Sequence, residues 1–244
     1  MDLKKSSILS YNNKNVVITG VNRGLGKGLF TLFTWQGYNV YGIVRSKPEA
    51  ERLRNEIPPN AKIVLADLSS DECIATIKSS IGKERIDLLI NNAGIAGQSD
   101  TLDNSESDEI LNLFNIHCLG VFRTMKSLKE NLLHAEHPIV LNLNSRLGSI
   151  TRQSNGRYEN VPVSYSYRIA KAAQNMLTNC LRKEFKTKVR FLSIHPGKMH
   201  TDIAQIDADV DPGVVANKIL EFYENEKFQE ENGIIELGKE LIEW

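Results

Sequence analysis

The chain alternates short β-branched segments with longer helical patterns along most of its length. Residues 15–19 form the first such segment, and a glycine-rich turn and an apolar-periodic helix over residues 25–35 follow it directly. Pro48 marks the start of the next helix, at a position where its missing N–H costs little. The same pattern predicts six further strands, over residues 40–44, 62–65, 87–90, 139–143, 189–194 and 234–236.

This alternation restricts the chain to the α/β fold class. Strands without a polar face imply a sheet that is buried on both sides, which is typical of parallel sheets. Right-handed crossovers through the helices then give a doubly wound, mostly parallel sheet of seven strands. The 244 residues suit a single domain of this kind over 1–244. Residues 148–162 are the least regular stretch, and we predict a loop there, of the sort that often carries a binding surface.

Composition argues against several classes of function. Thirty Lys and Arg residues balance thirty Asp and Glu residues, so no net field attracts nucleic acid or an anionic membrane. Residues 1–13 lack the apolar core of a signal peptide and are predicted to be a flexible N-terminal extension. The three cysteines are widely spaced and form no CxxC pair, which argues against a metal site and fits a reducing compartment. We therefore expect a cytoplasmic protein.

The turn after the first strand reads Thr19-Gly20-Val21-Asn22-Arg23-Gly24-Leu25-Gly26. Its glycines permit a tight turn and a close approach to the N–H groups at the helix start, where the helix dipole favours an anion. This placement between a strand and a helix predicts that the turn binds the pyrophosphate of a dinucleotide. A purely structural turn is the alternative, because glycine also serves conformational needs in such turns. The predicted contacts are Gly20, Asn22, Arg23, Gly24, Leu25 and Gly26.

The end of the second strand indicates which dinucleotide is bound. NAD sites usually place an acidic residue there, which binds the ribose 2′-hydroxyl group. Here Val44 is followed by Arg45 and Ser46, without an acid. Arg45 and Arg23 could instead hold a 2′-phosphate, since a guanidinium group suits bidentate phosphate contacts. NADP(H) is therefore the expected cofactor, and the alternative is a pair of solvated surface arginines.

Tyr167 and Lys171 lie four residues apart in a predicted helix and so share one face. An unperturbed tyrosine, with a pKa of about 10, is a poor acid or base at neutral pH. A neighbouring ammonium group favours the phenolate and would bring the pKa of Tyr167 towards a useful range. A pair of this spacing also arises by chance on exposed helix surfaces.

A serine at the carboxyl end of the fifth strand adds a third candidate. Open α/β sheets bind ligands at this edge, so the Ser145 hydroxyl could bond a substrate carbonyl oxygen as negative charge builds on it. Ser149 is a rival for the same role. Strand register favours Ser145.

With these features in order, the chain resembles the classical short-chain dehydrogenase/reductase family over essentially its whole length. The resemblance implies a Rossmann domain and gives roles to further residues. Asp67 would contact the adenine, Thr201 would hold the nicotinamide amide, and Lys171 would also bind the ribose hydroxyl groups. The matching positions outside the glycine turn are Asp67 with Leu68, Asn91 to Gly94 including Ala93, Ser145, Tyr167 with Lys171, and Pro196 and Gly197 followed by Thr201.

Finer features resemble the C-factor and sniffer-type carbonyl reductase branch. They include Arg45 after the second strand and the 22-residue separation of Ser145 from Tyr167. Related enzymes form homodimers or homotetramers through the helices that correspond to residues 106–134 and 165–185. The resemblance therefore predicts an oligomer, although core packing alone would explain most of the apolar residues in both helices.

One residue departs from the family pattern. The family usually has an asparagine three residues before the glycine of the helix after the fourth strand, where it completes a proton relay. His117 occupies that slot before Gly120, and Asn115 is out of phase by two residues. His117 either takes part in the relay or packs without a catalytic role, and the sequence leaves both open.

The expected activity is transfer of a hydride from NADPH to a ketone or aldehyde, with alcohol oxidation as the reverse. Ser145 and Tyr167 would bond the carbonyl oxygen, and Tyr167 would donate the proton. Two alternatives stay open. One is a regulatory protein of the C-factor type that binds NADPH with little turnover. The other is a nucleotide-sugar epimerase or dehydratase, which is disfavoured because only about 45 residues follow Pro196, too few for a substrate domain.

Overall fold

The computed structural model describes residues 13–55, 57–159, 161, 163–197, 210–225, 233–237 and 241–244. The predicted extension lies outside these ranges except for Asn13, and so does Thr201. The described residues contain one eight-stranded sheet with the order β3-β2-β1-β4-β5-β6-β7-β8. Its strands are β1 (Asn15–Thr19), β2 (Asn39–Val44), β3 (Ala61–Leu65), β4 (Leu88–Asn91), β5 (Ile139–Leu143), β6 (Arg190–His195), β7 (Ile234–Glu236) and β8 (Leu241–Ile242).

The doubly wound α/β fold is confirmed, and the number of strands is corrected from seven to eight. The first seven strands pair in parallel, whereas β8 pairs antiparallel with β7, Ile234 opposite Ile242. A strand of two residues is too short to show an alternating pattern in the sequence. Its extended conformation comes from pairing with the edge of the sheet.

Helices cover both faces of the sheet. They are α1 (Gly24–Trp35), α2 (Lys47–Arg54), α3 (Glu72–Ile81), α4 (Ser107–Phe114), α5 (Gly120–Leu133), α6 (Ile150–Ser154), α7 (Tyr165–Phe185) and α8 (Pro212–Glu224). A π-helical turn at Asn115–Leu119 joins α4 to α5, and a 3-10 turn at Arg146–Gly148 follows β5. Pro48 is the second residue of α2, as the sequence indicates.

Alternate residues of the strands enter two hydrophobic clusters, one on each face of the sheet. Val16 and Ile18 pack with α1, α2 and α8, and Val17 packs with α3, α5 and α7. Both sides of β1 are thus buried, which explains its uninterrupted apolar sequence.

The predicted loop at 148–162 is only partly irregular. It contains the five-residue helix α6, which begins after Ser149, whose Oγ accepts a hydrogen bond from the Arg152 amide at 3.1 Å. A helix of this length is too short to show helical periodicity in the sequence. The prediction of a continuous loop is therefore wrong over residues 150–154.

Candidate active site

A cleft of about 880 Å³ opens at the carboxyl ends of β1, β4 and β5. The strand order reverses between β1 and β4, and such a switch point is where open α/β sheets bind ligands. Most of the residues that the sequence singles out line this cleft. They are Gly20, Asn22, Arg23, Gly24, Leu25, Gly26, Arg45, Asp67, Leu68, Ala93, Gly94, His117, Ser145, Tyr167, Lys171, Pro196 and Gly197.

Asn91 is a site residue that the structure does not place in the lining. Its side chain is buried beneath the cleft, where it donates to Asn142 Oδ1 at 2.8 Å and accepts from Thr124 Oγ1 at 2.8 Å. The side chain of Asn91 therefore connects β4 to β5 and to α5 beneath the cleft. The neighbouring Asn92 does line the cleft.

The glycine-rich turn is built for a close backbone approach. Gly20 and Gly24 have φ values of 73° and 53°, in the left-handed region that side chains disfavour. A Cβ on Gly26 would lie 2.1 Å from the Gly20 carbonyl oxygen, so no larger residue fits there. Asn92 fixes the turn by donating from Nδ2 to the Thr19 carbonyl oxygen at 2.8 Å.

The start of α1 offers this turn an anion site. No side chain caps the helix, and no acidic residue lies in its first turn. The first turn of α1 therefore carries no carboxylate of its own that would compete with a bound anion, and the helix dipole favours a negative charge there. The cradle of small residues and amide groups fits a dinucleotide pyrophosphate.

The far end of the cleft carries the two predicted arginines and one acid that sequence reasoning missed. Arg23 and Arg45 are exposed there. Glu49, on α2, accepts hydrogen bonds from Asn22 Nδ2 and from Ser46 Oγ, both at 2.6 Å. The sequence does contain a pattern that indicates Glu49. It is the helix-start pattern Ser46-x-x-Glu49, which brings these two side chains together.

The two candidate serines have different surroundings. Ser145 follows β5, lines the cleft and is hydrogen-bonded to the side chain of Tyr167. Ser149 is fully buried, and its hydroxyl oxygen caps α6. It is not among the residues that line the cleft. The geometry therefore favours Ser145 as the hydroxyl group that can meet a substrate.

Tyr167 does not have the lowered pKa that the sequence suggests. Burial raises the pKa of Tyr167 to about 12, and the hydrogen bond with Ser145 only partly opposes this effect. The ammonium group of Lys171 lies 5.7 Å from the centroid of the tyrosine ring. Its protons are directed to the Leu143 carbonyl oxygen at 2.8 Å and to Gln174 Oε1 at 2.9 Å. The expected lowering is therefore wrong for this arrangement of the two side chains.

Lys171 is itself strongly perturbed. Its side chain is buried, and burial lowers the pKa of Lys171 to about 7. A lysine in this state changes charge near neutral pH, where an ordinary lysine is fully charged.

His117 lies in the π-helical turn, and its ring is buried against the cleft. Nε2 lies 2.9 Å from the carbonyl oxygen and 3.2 Å from the amide nitrogen of Ile95, so its tautomer decides which of the two it bonds. Nδ1 has no hydrogen-bonding partner among the described protein atoms. Burial, followed by the charge of Lys171, lowers the pKa of His117 to about 3. Asn115 bonds Ser69 and Arg123 and does not line the cleft.

Arg168, next to Tyr167 in the chain, forms hydrogen bonds with the segments that border the cleft. Its guanidinium group donates to the carbonyl oxygens of Val161 at 2.6 Å and Val163 at 3.3 Å, and to the side chain of Gln153. These bonds connect α6 and the segment before α7 to the helix that carries Tyr167. Sequence reasoning did not identify Arg168, because an arginine on a helix is usually a solvated surface residue.

Within the described residues, no group of three or more His, Cys, Asp or Glu side chains could hold a metal ion. Cys73 and Cys118 are buried and Cys180 is exposed, and all three are free thiols. Among the described helices, none is long and apolar enough to cross a membrane.

Comparison with known proteins identifies short-chain dehydrogenases as relatives of the chain. Residues 14–210 match the family model described as short chain dehydrogenase. The short chain dehydrogenase tazN of Aspergillus terreus is 26% identical over 204 residues, which cover 80% of this chain and 43% of that protein. Dehydrogenase/reductase SDR family member 11 of Mus musculus is 27% identical over 228 residues, 88% of this chain and 84% of that protein.

Solved structures share the fold over nearly the whole chain. An NADPH-bound carbonyl reductase from chicken fatty liver superposes with a TM-score of 0.82 at 22% identity, covering 95% of this chain and 99% of that chain. The carbonyl reductase Sniffer of D. melanogaster superposes with a TM-score of 0.79 at 25% identity, with the same coverage. The predicted resemblance to the short-chain dehydrogenases, with sniffer-type carbonyl reductases among the neighbours, is confirmed.

Proposed function

The chain belongs to the short-chain dehydrogenase family, and on that premise we propose that it transfers a hydride from NADPH to the carbonyl carbon of a ketone or aldehyde, with alcohol oxidation as the reverse reaction. One observation carries the proposal. Ser145, Tyr167 and Lys171 line the same cleft as the glycine-rich turn, at the edge of the sheet where the strand order reverses.

The residues of the cleft suit NADP(H). The turn and the start of α1 would hold the pyrophosphate, and Arg23 and Arg45 lie at the far end, where a 2′-phosphate would need positive charge. The neighbour from chicken fatty liver is an NADPH-bound carbonyl reductase, which supports the same choice. When bound, the nicotinamide supplies the hydride.

Side chains of the protein would bind the carbonyl oxygen and supply the proton that it receives. Ser145 would donate a hydrogen bond to the carbonyl oxygen as negative charge develops on it. Tyr167 would donate the proton, and its raised pKa keeps that proton in place at neutral pH. An alkoxide is a stronger base than a phenolate, so the transfer is favourable once the alkoxide forms. Lys171, when charged, would stabilise the negative charge that develops on the tyrosine oxygen and would bind the ribose hydroxyl groups.

The proposal is tested by following NADPH absorbance with the purified full-length protein and a panel of ketones, aldehydes, diketones and sugars. We expect oxidation of NADPH that depends on one carbonyl class and yields the matching alcohol. The same assay separates a reductase from the regulatory alternative. A protein that binds NADPH tightly by calorimetry and turns over no member of a broad panel would contradict the reductase proposal.

We also propose that the protein is a homodimer or homotetramer in the cytoplasm. Leu111 on α4 and Met176 on α7 are each 63% exposed, and Phe122 on α5 is 43% exposed. Cys118 and Met125 are buried and belong to the core. These three exposed apolar residues lie on the helices that the sequence predicted for the interface, where a partner subunit would cover them.

A further inference from the structure

The described ammonium contacts of Lys171 include one with a side chain that the proposed reaction does not otherwise use. Gln174 follows Lys171 by three residues on α7, and only 2% of it is exposed. Its Oε1 accepts a hydrogen bond from Lys171 Nζ at 2.9 Å, while the Leu143 carbonyl oxygen at the end of β5 accepts another at 2.8 Å. Two of the three ammonium protons are thus directed into the protein.

The neighbouring polar side chain on α7 does not take part in this contact. Thr178 Oγ1 donates to the main-chain carbonyl oxygen of Gln174 at 2.8 Å and accepts from Asn142 Nδ2 at 2.9 Å, so it bonds the backbone of Gln174 and not its side-chain amide. Asn144, another buried amide nearby, bonds the backbone of Lys171 and not its ammonium group. Among the described residues, Gln174 is therefore the side chain whose hydrogen bond reaches Nζ directly.

We propose that Gln174 is a positioning residue, which holds the ammonium group of Lys171 in the cleft and stabilises its charged form without adding a charge. A carbonyl dipole aimed at a buried ammonium group favours the protonated state and so opposes the cost of desolvation. The consequence for catalysis rests on the proposed function, because Lys171 must be charged to assist Tyr167. The effect of Gln174 on the charge state of Lys171 does not depend on the proposed function.

Few titratable groups share this site. Tyr167 lies on the same helix, one turn earlier, and His117 faces Lys171 from the π-helical turn. His195 lines the cleft from β6. Strand β5 brings only the Leu143 carbonyl oxygen, since its sequence contains no titratable side chain. Two other elements pack against α7 and carry charged groups: Glu109 of α4 accepts from Ser166 Oγ, and Arg146 of the 3-10 turn lines the cleft. The described acceptors of Lys171 Nζ are the Leu143 carbonyl oxygen and Gln174 Oε1, and neither is a carboxylate.

Two substitutions should move the charge state of Lys171 in opposite directions. Gln174→Leu removes the acceptor while keeping the size of the side chain, and it should lower the pKa of Lys171 by about one to two pH units, the effect of one hydrogen bond to a charged group. Gln174→Glu should raise the pKa by a similar amount, because a carboxylate beside the ammonium group favours its charged form. A role in packing alone predicts no such opposition.

The first measurement uses the full-length protein without cofactor. The ¹³Cε chemical shift of Lys171, assigned by comparison with Lys171→Met, is followed against pH in the parent protein, in Gln174→Leu and in Gln174→Glu. Thr178→Val serves as the matched control, since it removes a buried polar group one turn along α7 that does not contact Nζ. We expect the control to leave the pKa of Lys171 in place. If Gln174→Leu fails to fold, Gln174→Met provides the same loss of the acceptor.

The second measurement is the pH dependence of carbonyl reduction. The alkaline loss of activity that depends on Lys171 should begin at lower pH in Gln174→Leu and at higher pH in Gln174→Glu. Equal Lys171 pKa values in all variants, or shifts in the same direction, would overturn the inference. Opposite shifts in a protein that reduces no carbonyl would preserve the inference and reject the proposed function, so the two failures are distinguishable.

Discussion

The ring of His117 stands edge-on to the ring of Tyr167, with centroids 5.5 Å apart and planes at 85°. On the side of β4 the histidine packs against Gly94, where an added Cβ would lie 2.5 Å from its Cε1. His117 thus forms the wall behind the tyrosine, and Gly94 provides the space for it. The contact between the two rings connects the π-helical turn to the centre of the cleft.

Because the pKa of His117 is lowered to about 3, the ring should be neutral throughout the pH range of an ordinary assay. We expect His117→Asn to remain active and to show the same pH–rate profile between about pH 5 and 8, a range that contains the ordinary histidine pKa of about 6.5. Steady-state kinetics with a confirmed substrate checks this. An ionisation near pH 6.5 that disappears in the variant would show that the histidine changes charge during turnover. A folded, NADPH-binding but inactive variant would show that it has been recruited to the relay.

Tyr167→Phe removes one hydroxyl group and keeps the ring that His117 contacts. We expect turnover to fall by roughly 10²-fold or more, the usual scale for loss of a general acid. The dissociation constant for NADPH, measured by calorimetry, should change little. Near-normal turnover of the variant on a confirmed substrate would exclude Tyr167 as the proton donor.

The two serines supply the control for that experiment. Ser145→Ala should also lower turnover, because Ser145 lies in the cleft and bonds Tyr167. Ser149→Ala should cost about 1 kcal/mol of stability through the lost helix cap and leave the kinetic constants in place. The reverse pattern would transfer the role to Ser149.

The sequence predicts those parts of this fold that have a recognisable local sequence pattern. Seven strands are recognisable because each is a short run of largely apolar residues. The turn at 19–26 is recognisable because its glycines follow a strand and precede a helix. Helix α6 and β8 are missed because five and two residues are too few to show a period. Their conformation depends on a cap and on pairing with β7, neither of which is a property of the segment alone.

The pKa values and charge contacts in the cleft were harder to predict than the identity of the residues that line it. A spacing of four residues correctly places Tyr167 and Lys171 on one side of α7, yet the direction of the ammonium group depends on Leu143 and Gln174. Burial then dominates both pKa values, and burial is a property of the packed chain. Glu49 was overlooked for a similar reason, since it reaches the cleft from a helix and not from the end of β2.

Cofactor preference should depend on opposing charges at the far end of the cleft. We expect NADPH to bind at least tenfold more tightly than NADH, a difference of about 1.4 kcal/mol, and Arg45→Asp to narrow or reverse that preference. Glu49→Gln should strengthen NADPH binding several-fold and change NADH binding little, because it removes a negative charge beside Asn22 and Ser46. Titration calorimetry with both cofactors checks this.

Two outcomes would change that interpretation. Comparable dissociation constants for NADPH and NADH in the parent protein would reject the assignment to NADP(H). Weaker NADH binding in Glu49→Gln, with NADPH unaffected, would show that Glu49 bonds a ribose hydroxyl group and that the acid missing from the end of β2 is supplied by α2.

The proposed oligomer is tested through the exposed apolar residues of α5 and α7. We expect light scattering at micromolar concentration to give at least twice the chain mass of 27.4 kDa. Phe122→Ser combined with Met176→Ser should shift the protein towards the monomer, while Trp35→Ser, an equally apolar loss at the end of α1, should not. A parent protein of about one chain mass would refute the proposal.

Lys171→Met should change the pH dependence of stability as well as abolish most activity. Burial lowers the pKa of Lys171 from 10.5 to about 7, so between these values the unfolded chain holds a proton that the folded protein has released. The free energy of unfolding of the parent protein therefore rises with pH across this window, and the cost of the buried charge is fully present below pH 7. The variant lacks this contribution.

The stability of Lys171→Met relative to the parent protein should accordingly be highest at pH 6 and should decline steadily towards pH 10. Thermal unfolding of both proteins across this range measures the difference. The absolute sign also includes the loss of the hydrogen bonds to Leu143 and Gln174, whose preference for the charged ammonium group is already contained in the pKa of Lys171. Lys78→Met, at an exposed position on α3, controls for the loss of one surface charge. A difference in Tm between Lys171→Met and the parent protein that stays constant from pH 6 to 10 would contradict a buried lysine that titrates near neutrality, and with it the electrostatic basis for a role of Lys171 beside Tyr167.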